Sequence, residues 1–385
     1  MDSGAVMTKV ESHTFSGDDH EMGVQQGRAV RGLIFDAIEQ IRTSEAVMLM
    51  KPRLLPAPLF LMMAKRRAAK LLKGDIFEYY PRQAQRLEGI AEGAGIDLST
   101  ILFMQSMELL IGKPDFRLQA CTSLGFSPQK TTTKEMIVAK NFDYVNDFAP
   151  YHLTRETIPK ERYKTLGCTM APLPGMVDGM NEHGLTVTYN LAYTTERPKY
   201  FAPLSMVLQE MLETCRSVDE AVKFLTYAKR GGHDALLMLA DADGHMRTVE
   251  ITSNHASTRE MTDGQIINTN HYLTEEMQQL EIPHNAVYIG RVPKELIDVR
   301  VHESSEQRLK RAQELLKNDI GIDESTIIAI LRDHGRDDKP SINTICRHGD
   351  YASTLRSVIL YPNKRAMKVL YGNPCRNEYD ELTFS

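Results

Sequence analysis

The sequence predicts an α+β protein whose helices fill the first third of the chain and whose strands dominate afterwards. Apolar residues recur at helical spacing in Val24–Ile41 and Tyr80–Ala94. Beyond residue 120, short β-branched and aromatic runs alternate with turn signals. We therefore expect an α-rich segment over residues 1–120 and a sheet-bearing part over 121–385. No low-complexity linker separates them, which favours one compact body.

Two further features of the first third bear on its packing. Ile96, Leu98 and Ile101 begin another helical pattern. In Leu54–Lys73 an apolar block precedes a basic one. This pattern fits a helix that packs over the core or covers a pocket, and alternatively a contact with lipid or a lipid-like substrate.

Local signals also place elements in the second part. The runs MIVAKNFDY and GLTVTYNLAY are typical of strands, and the turns Asp243-Gly244 and Pro362-Asn363 each predict an antiparallel hairpin. Leu204–Lys229 is predicted to form two helices. The remaining capping signals are Ser217 with Glu220, Ser304 with Gln307 for a helix ending at Leu316, and Asp323 for a helix ending at Leu331.

Composition excludes several classes of function. The formal net charge is −5 and the basic residues are dispersed, which argues against nucleic-acid binding. Met1–Gly17 lacks the pattern of a secretory signal, and no run approaches the roughly 18 apolar residues of a membrane span. We therefore expect a cytoplasmic protein without stable membrane insertion.

The cysteines and histidines give no metal or disulfide pattern along the chain. Five cysteines stand at long, irregular spacings without a CxxC pair, and the twelve histidines are scattered. This argues against a disulfide framework and a zinc knuckle, and favours free thiols in a reducing compartment. No metal and no cofactor are predicted.

A cysteine is the best candidate nucleophile, because GxSxG, phosphate-loop and dinucleotide motifs are missing. Most buried cysteines are simply small apolar residues. Cys121 differs, since it lies in QACTS, where the helical pattern changes to a strand pattern.

The order of motifs around Cys121 resembles a known family. The chain carries, in order, GDDHEMGVQQGRAVR, AEGAGIDLSTILFMQSMELL, QACTSLGFS, VAKNFDY, GMNEHGLTVTYNLAY, INTNHYL and STLRSVILYPNKRAMKVLYGNPC. This series is similar to the isopenicillin-N acyltransferase-like branch of the choloylglycine hydrolase superfamily, and it spans nearly the whole chain.

The resemblance implies a four-layer αββα N-terminal-nucleophile hydrolase fold, made as a precursor that cleaves itself before the cysteine. The scissile bond here is Ala120-Cys121, and the products are an α and a β fragment. The freed α-amino group, with an ordinary pKa near 8, then serves as the base for its own thiol.

The resemblance also implies roles for other residues. Asp143 is similar to the aspartate that holds the α-amino group, and Asn190 to the asparagine that donates to the oxyanion. Asn270 is similar to a second active-site asparagine, although Asn268 is two residues away and would face the same side of a strand. Arg356 resembles the arginine near the cysteine of bile-salt hydrolases.

One position departs from the bile-salt hydrolase pattern. Lys140 stands where those enzymes carry arginine, so the positive charge is kept but the planar fork is lost. Lys140 and Tyr144, at the two ends of KNFDY, are the candidate substrate-binding residues.

The sequence therefore predicts a self-processing cysteine amidohydrolase that cleaves a linear amide through a thioester. Its partner is a small-molecule amide or acyl thioester. An acyltransferase that passes the acyl group to an amine is the first alternative. An unprocessed hydrolase pairing Cys121 with His271 or His183, and an inactive binding protein, are the others.

Overall fold

The computed structural model describes residues 10–45, 48, 51–110, 120–231, 234–290, 292–317 and 321–385. Side chains of the helix ending at Leu110 are described as far as residue 106. Gln119 of the QACTS motif and the first nine residues lie outside this range.

Helices occupy most of the first third, as predicted, and others follow between the later strands. Over the described residues they are, in chain order, α1 (Asp19–Ala29), α2 (Arg31–Thr43), α3 (Ala57–Tyr79), α4 (Pro81–Ala94), α5 (Leu98–Leu110), α6 (Leu204–Leu212), α7 (Val218–Tyr227), α8 (Glu275–Gln278), α9 (Glu303–Leu316) and α10 (Glu324–Leu331). Two short 3-10 helices cover Asn146–Tyr151 and Lys294–Leu296.

The strands form two sheets. They are β1 (Ser12–Gly17), β2 (Ala120–Phe126), β3 (Ile137–Val145), β4 (His152–Pro159), β5 (Thr165–Met170), β6 (Asp178–Asn181), β7 (Thr186–Leu191), β8 (Ala235–Ala240), β9 (Met246–Ile251), β10 (Ala256–Glu260), β11 (Gln265–Asn268), β12 (Ala352–Tyr361), β13 (Ala366–Tyr371) and β14 (Asp380–Thr383). The large sheet has the order β1-β4-β5-β6-β7-β8-β9-β10, and the small sheet the order β11-β2-β3-β12-β13-β14.

The apolar clusters show how the layers stack. Between the sheets, Val138 and Val358 of the small sheet pack with Met238 of the large one. The outer face of the small sheet packs on α9 and α10, and that of the large sheet on the other helical layer. The order helix, sheet, sheet, helix confirms the predicted α+β fold with four layers.

Two predicted helix caps are confirmed. Asp323 caps α10, since its carboxylate accepts from the Thr326 N–H at 2.8 Å. The hydroxyl of Ser217 accepts from the Glu220 N–H and caps α7. Both predicted hairpins are also present, as β8–β9 and β12–β13.

Other predictions were wrong in detail. The helical pattern of Val24–Ile41 is divided between two helices, because the chain leaves helical geometry at Val30 between α1 and α2. Ser304 does not cap α9, which begins at Glu303; its hydroxyl donates instead to the Ile342 carbonyl at 2.8 Å. The segment before α1 also forms β1, which pairs parallel to β4 and was not predicted.

Helix α3 replaces the predicted Leu54–Lys73 segment and begins after Pro56. Leu72 and Ile76 in its second half are buried, whereas Met62 and Met63 are 43% and 53% exposed. Within the described residues, no helix has the length and apolar content needed to cross a membrane. The packed half agrees with the first interpretation, and contact of the exposed half with lipid stays a prediction.

Helices α1 and α4 approach so closely that glycine is required where they cross. A Cβ at Gly89 would lie 2.2 Å from the His20 carbonyl oxygen, and one at Gly23 would lie 2.3 Å from that of Arg86. Real Cβ atoms do not reach such distances from backbone, so a larger residue must separate the helices.

We expect Gly89→Ala to lower the free energy of unfolding, by about 1–3 kcal/mol for overpacking. Gly74→Ala in α3 is the matched control, because nothing lies within 4 Å of a Cβ at that position. The control should raise stability by up to about 1 kcal/mol through helix propensity. Chemical denaturation measures both, and equal effects would contradict the close crossing.

Candidate active site around Cys121

Cys121 lies near the start of β2, and β3 is the neighbouring antiparallel strand. In their register Ala120 is opposite Asp143, and Cys121 is opposite Phe142. Cys121 is buried, and its backbone N–H donates to Oδ1 of Asn270 at 2.7 Å. Burial raises the pKa of the thiol, and the positive charge of Lys140 opposes that rise.

Arg308 of α9 holds the other side of the same residue. Its Nη1 donates to the Cys121 carbonyl oxygen at 2.5 Å and to the Thr122 hydroxyl at 2.9 Å. Its Nη2 donates to Oδ1 of Asn270 at 2.8 Å. One fully buried guanidinium therefore binds two residues of the predicted site, Cys121 and Asn270.

Both polar atoms of the Asn270 side chain and its backbone N–H are hydrogen-bonded. Its side-chain amide donates to the Leu191 carbonyl at 2.7 Å, and its backbone N–H donates to the Ser305 hydroxyl at 2.7 Å. Asn268, by contrast, faces β9, where its Oδ1 accepts from Thr248 at 3.0 Å. Of the two asparagines, Asn270 is the one that contacts Cys121.

Asp143 is a buried carboxylate with one satisfied oxygen. Oδ1 accepts from the Thr354 hydroxyl at 2.7 Å, whereas buried Oδ2 has no hydrogen-bond partner among the described residues. Burial raises the pKa of Asp143 to about 6, against the opposing charges of Arg308 and Arg347. The carboxylate thus lies beside the predicted cleavage point without a direct counter-ion on Oδ2.

Asn190 of β7 joins the two sheets close to Cys121. Its Oδ1 accepts from Ser123, two residues along β2, at 2.5 Å. Its amide donates to the carbonyls of Asn268 at 3.2 Å and Thr269 at 3.0 Å. The amide that is predicted to bind an oxyanion is therefore engaged by backbone in the intact chain.

Lys140 and Arg356 belong to a buried charge cluster around Asp178. Lys140 Nζ contacts Oδ1 of Asp178 at 2.6 Å, and Arg356 Nη2 contacts Oδ2 at 2.5 Å. Burial opposes ionisation of Asp178, but the two cations outweigh it and lower its pKa. The shared carboxylate neutralises only one of two buried positive charges.

Arg356 is separated from Cys121 by one strand. It pairs in register with Phe142, which in turn pairs with Cys121. The Arg356 guanidinium lies 4.6 Å from the centre of the Phe142 ring, a cation–π distance. Two strand spacings, about 10 Å, therefore lie between the arginine and cysteine backbones.

Tyr144, the other candidate for substrate binding, is half-buried between aromatic rings. Its ring centre is 5.7 Å from that of Phe142 and 5.5 Å from that of Phe148. A small pocket opens elsewhere, on the side of Ala120. Its lining includes Ala120, Tyr193, Asn270, Ser305, Arg308 and Arg347.

Sequence reasoning missed Arg308, Asp178, Thr354 and Arg347. Arg308 lies in a helix with several other basic residues and carries no motif. One signal was available: Ser305, Arg308, Ala312 and Leu316 form the buried stripe of α9, so an arginine occupies an otherwise small or apolar face. A buried arginine of this kind needs anionic or carbonyl partners.

The raised pKa of Asp143 makes stability depend on pH. The folded chain favours the neutral carboxyl, because the pKa of Asp143 is about 6 instead of 3.8. The protonated carboxyl therefore contributes its full stabilisation at a pH below 3.8, and this stabilisation is lost as the pH rises through 6. We compare Asp143→Asn with its parent, both carrying Cys121→Ala to keep one covalent chain. From about pH 4 to 7 the parent should lose about 2 kcal/mol of unfolding free energy relative to the Asn variant. A constant difference across this range would contradict the raised pKa.

Comparisons with known proteins place the chain in a family. A family model described as acyl-coenzyme A:6-aminopenicillanic acid acyl-transferase matches residues 130–376, well over half of the chain. The match includes Lys140, Asp143, Tyr144, Asn190, Asn270 and Arg356, and begins after Cys121. A search of curated proteins found no match.

Solved structures give distant similarities. The N-acylethanolamine-hydrolyzing acid amidase ortholog of Caenorhabditis elegans is 14% identical, with a TM-score of 0.44, over 63% of this chain and 93% of that one. A mutant conjugated bile acid hydrolase from Clostridium perfringens is 15% identical, with a TM-score of 0.41, over 68% and 97% of the two chains. Penicillin V acylase from Agrobacterium tumefaciens is 16% identical, with a TM-score of 0.41, over 66% and 83%.

The extent of the family match confirms the resemblance drawn from the motifs, and with it the prediction of an enzyme. The chain therefore belongs to the acyl-coenzyme A:6-aminopenicillanic acid acyl-transferase family.

Proposed function

We propose that the chain cuts itself between Ala120 and Cys121, and that the new N-terminal Cys121 then hydrolyses a linear amide through a thioester. The observation that carries this proposal is the unpartnered, buried Oδ2 of Asp143, on the strand position opposite Ala120. Burying a carboxylate oxygen without a partner is costly. The ammonium group released at Cys121 by cleavage would supply the missing partner.

The proposed cleavage needs the groups at the site and one water molecule. The Cys121 sulfur attacks the carbonyl carbon of Ala120, the C–N bond breaks, and the thiol proton is transferred to the Cys121 nitrogen as that nitrogen leaves. Water then hydrolyses the resulting thioester to the Ala120 carboxylate and a free thiol. Arg308 and Asn270 hold the carbonyl and the N–H of Cys121 during these steps, at 2.5 and 2.7 Å.

The same atoms serve the proposed turnover of substrate. The α-amino group, with an ordinary pKa of about 7.7–8.0, takes the thiol proton and returns it to the leaving amine. The thiolate forms a thioester with the acyl group, which water releases. For Asn190 to donate to the oxyanion, its amide must exchange a bond to the Asn268 or Thr269 carbonyl for one to substrate.

Transfer to an amine is a second candidate. The description of the matching family names an acyl-transferase, and the same thioester would yield a new amide if an amine replaced water. Product analysis by mass spectrometry, with an amine acceptor added to a substrate amide, separates the two reactions. A new amide supports transfer, and free acid alone supports hydrolysis.

The contacts of the two histidines favour this proposal over a cysteine–histidine pair. The ring of His271 shares a hydrogen bond with the Ser305 hydroxyl at 2.7 Å, and burial lowers its pKa to about 4. His183 packs edge-on against Tyr163 at 4.5 Å, in the turn between β6 and β7. Neither arrangement directs an imidazole base at Cys121.

Intact mass under denaturing conditions tests the cleavage. Wild-type protein should separate into fragments of 120 and 265 residues, whereas Cys121→Ala should remain one chain of 385 residues. Cys215→Ala, another buried thiol, is the matched control and should be cleaved like the wild type. An active, uncleaved wild type would overturn self-processing, and activity retained in Cys121→Ala would overturn the nucleophile.

Arg308 should be needed for the rate of cleavage. We expect Arg308→Lys to slow processing on the order of 10²-fold, the scale for a small misplacement of reacting groups. Lysine lacks the planar fork that holds the Cys121 carbonyl, the Thr122 hydroxyl and Asn270 together. Arg311→Lys on the same helix is the control, since Arg311 contacts Asp333 at 2.7 Å instead. The time course of fragment formation measures both, and equal rates would contradict the role assigned to Arg308.

A further inference from the structure

A second group of reactive side chains lies apart from the contacts of Cys121. It comprises His334 after α10, Cys346 and His348 in the segment before β12, and Cys375 after β13. We propose that these four residues form a tetrahedral site for a zinc-class divalent cation, with a structural role. Zinc prefers nitrogen and sulfur ligands, and two cysteines with two histidines is a common structural set.

The distances within this group fit one ion. Its four ligand atoms all lie within 4.8 Å of one another. Nε2 of His348 is 3.4 Å from Sγ of Cys346 and 3.4 Å from Sγ of Cys375. Bond lengths of 2.0–2.3 Å around tetrahedral zinc place its ligands roughly 3.3–3.8 Å apart. The two distances from His348 Nε2 to the cysteine sulfurs match that range. The remaining ligand-to-ligand distances, at most 4.8 Å, would have to shorten by about 1 Å or less.

His334 supplies an independent sign of a missing partner. Its Nε2 is buried and has no hydrogen-bond partner among the described residues. Its Nδ1 is 3.2 Å from the Asp338 carboxylate, which orients the ring. A metal-bound histidine commonly has a carboxylate on its other nitrogen, so the free Nε2 is oriented as a metal ligand would be.

A disulfide between Cys346 and Cys375 accounts for less of this arrangement. Both cysteines are free thiols. A disulfide would leave the convergence of two imidazoles unexplained, as well as the buried Nε2 of His334. Thiolate and imidazole together favour zinc over magnesium or calcium, which prefer oxygen.

The site would hold together the segment that supports Asp143. Cys346 and His348 flank Arg347, and the backbone N–H of Arg347 donates to the Thr354 hydroxyl at 2.9 Å. That hydroxyl donates to Asp143 at 2.7 Å. Cys346 is also fixed next to His334, because its N–H donates to the Asp333 carbonyl at 3.0 Å. The cation would thus brace the wall of the pocket in which Arg347 lies.

Metal content of the full-length protein tests this site without reference to activity. Protein expressed with zinc and purified without chelator, under reducing conditions, should carry one zinc ion per chain by elemental mass spectrometry. Cys121→Ala should carry the same amount, so failure of the proposed reaction leaves this result unaffected. Cys375→Ser and His334→Ala should each lose most of the zinc, whereas Cys215→Ser, a buried thiol outside the group, should retain it.

A second measurement uses only the wild type, in case a variant fails to fold. After removal of zinc, added Co²⁺ should give the visible absorption of tetrahedral cobalt with thiolate ligands. Cys346 and Cys375 should resist alkylation in the native protein until a chelator is added. Wild-type protein without zinc that also gives no cobalt spectrum, or a Cys346–Cys375 disulfide in anaerobically purified protein, would overturn the site.

Discussion

Antiparallel pairing of β2 with β3 sets the position of each group around the candidate cleavage point. The register puts Ala120 opposite Asp143, and Cys121 opposite Phe142. Successive residues face opposite sides of a sheet, so Asp143 and Thr122 face α9 and α10, while Cys121 and Ser123 face the other side. A slip of β2 by one residue would exchange the faces of Ala120 and Cys121 and would move Ala120 away from its position opposite Asp143.

Buried charge is the energetic cost of this arrangement. Arg308, Lys140 and Arg356 are all fully buried. Breaking a buried pair costs about 3–5 kcal/mol, so each cation must keep its partners. Asp178 provides partners for two of them, and the carbonyl, hydroxyl and amide oxygens around Cys121 provide them for Arg308. Among these buried charged groups, Asp143 has a carboxylate oxygen, Oδ2, without a hydrogen-bond partner in the described residues. An ammonium group at Cys121 would supply that partner.

Local sequence signals predicted where turns and helix caps form better than they predicted contacts between residues distant in the sequence. The turns at Asp243-Gly244 and Pro362-Asn363 and the cap at Asp323 depend on neighbours within a few residues, and the structure contains all three. The cap expected at Ser304 was wrong because a distant carbonyl, that of Ile342, takes the hydroxyl. Tertiary partners thus overrode a local preference.

In the predicted site, too, motifs identified some residues, whereas others were brought there only by tertiary contacts. Ordered motifs identified Cys121 and Asn270, which the structure brings into contact. Arg308 was missed because its partner on β2 lies far away along the chain. The convergence of His334 with Cys375 was equally hidden, since it depends on how α10 and the end of β13 meet rather than on ligand spacing.

Self-cleavage would make Cys121 an N-terminal residue bearing both a free amine and a free thiol. A probe selective for 1,2-aminothiols, applied to denatured wild-type protein and followed by peptide mapping, distinguishes this residue from an internal cysteine. We expect a labelled peptide that begins at Cys121, and no label in Cys121→Ala. Active wild-type protein without such a label would overturn self-cleavage.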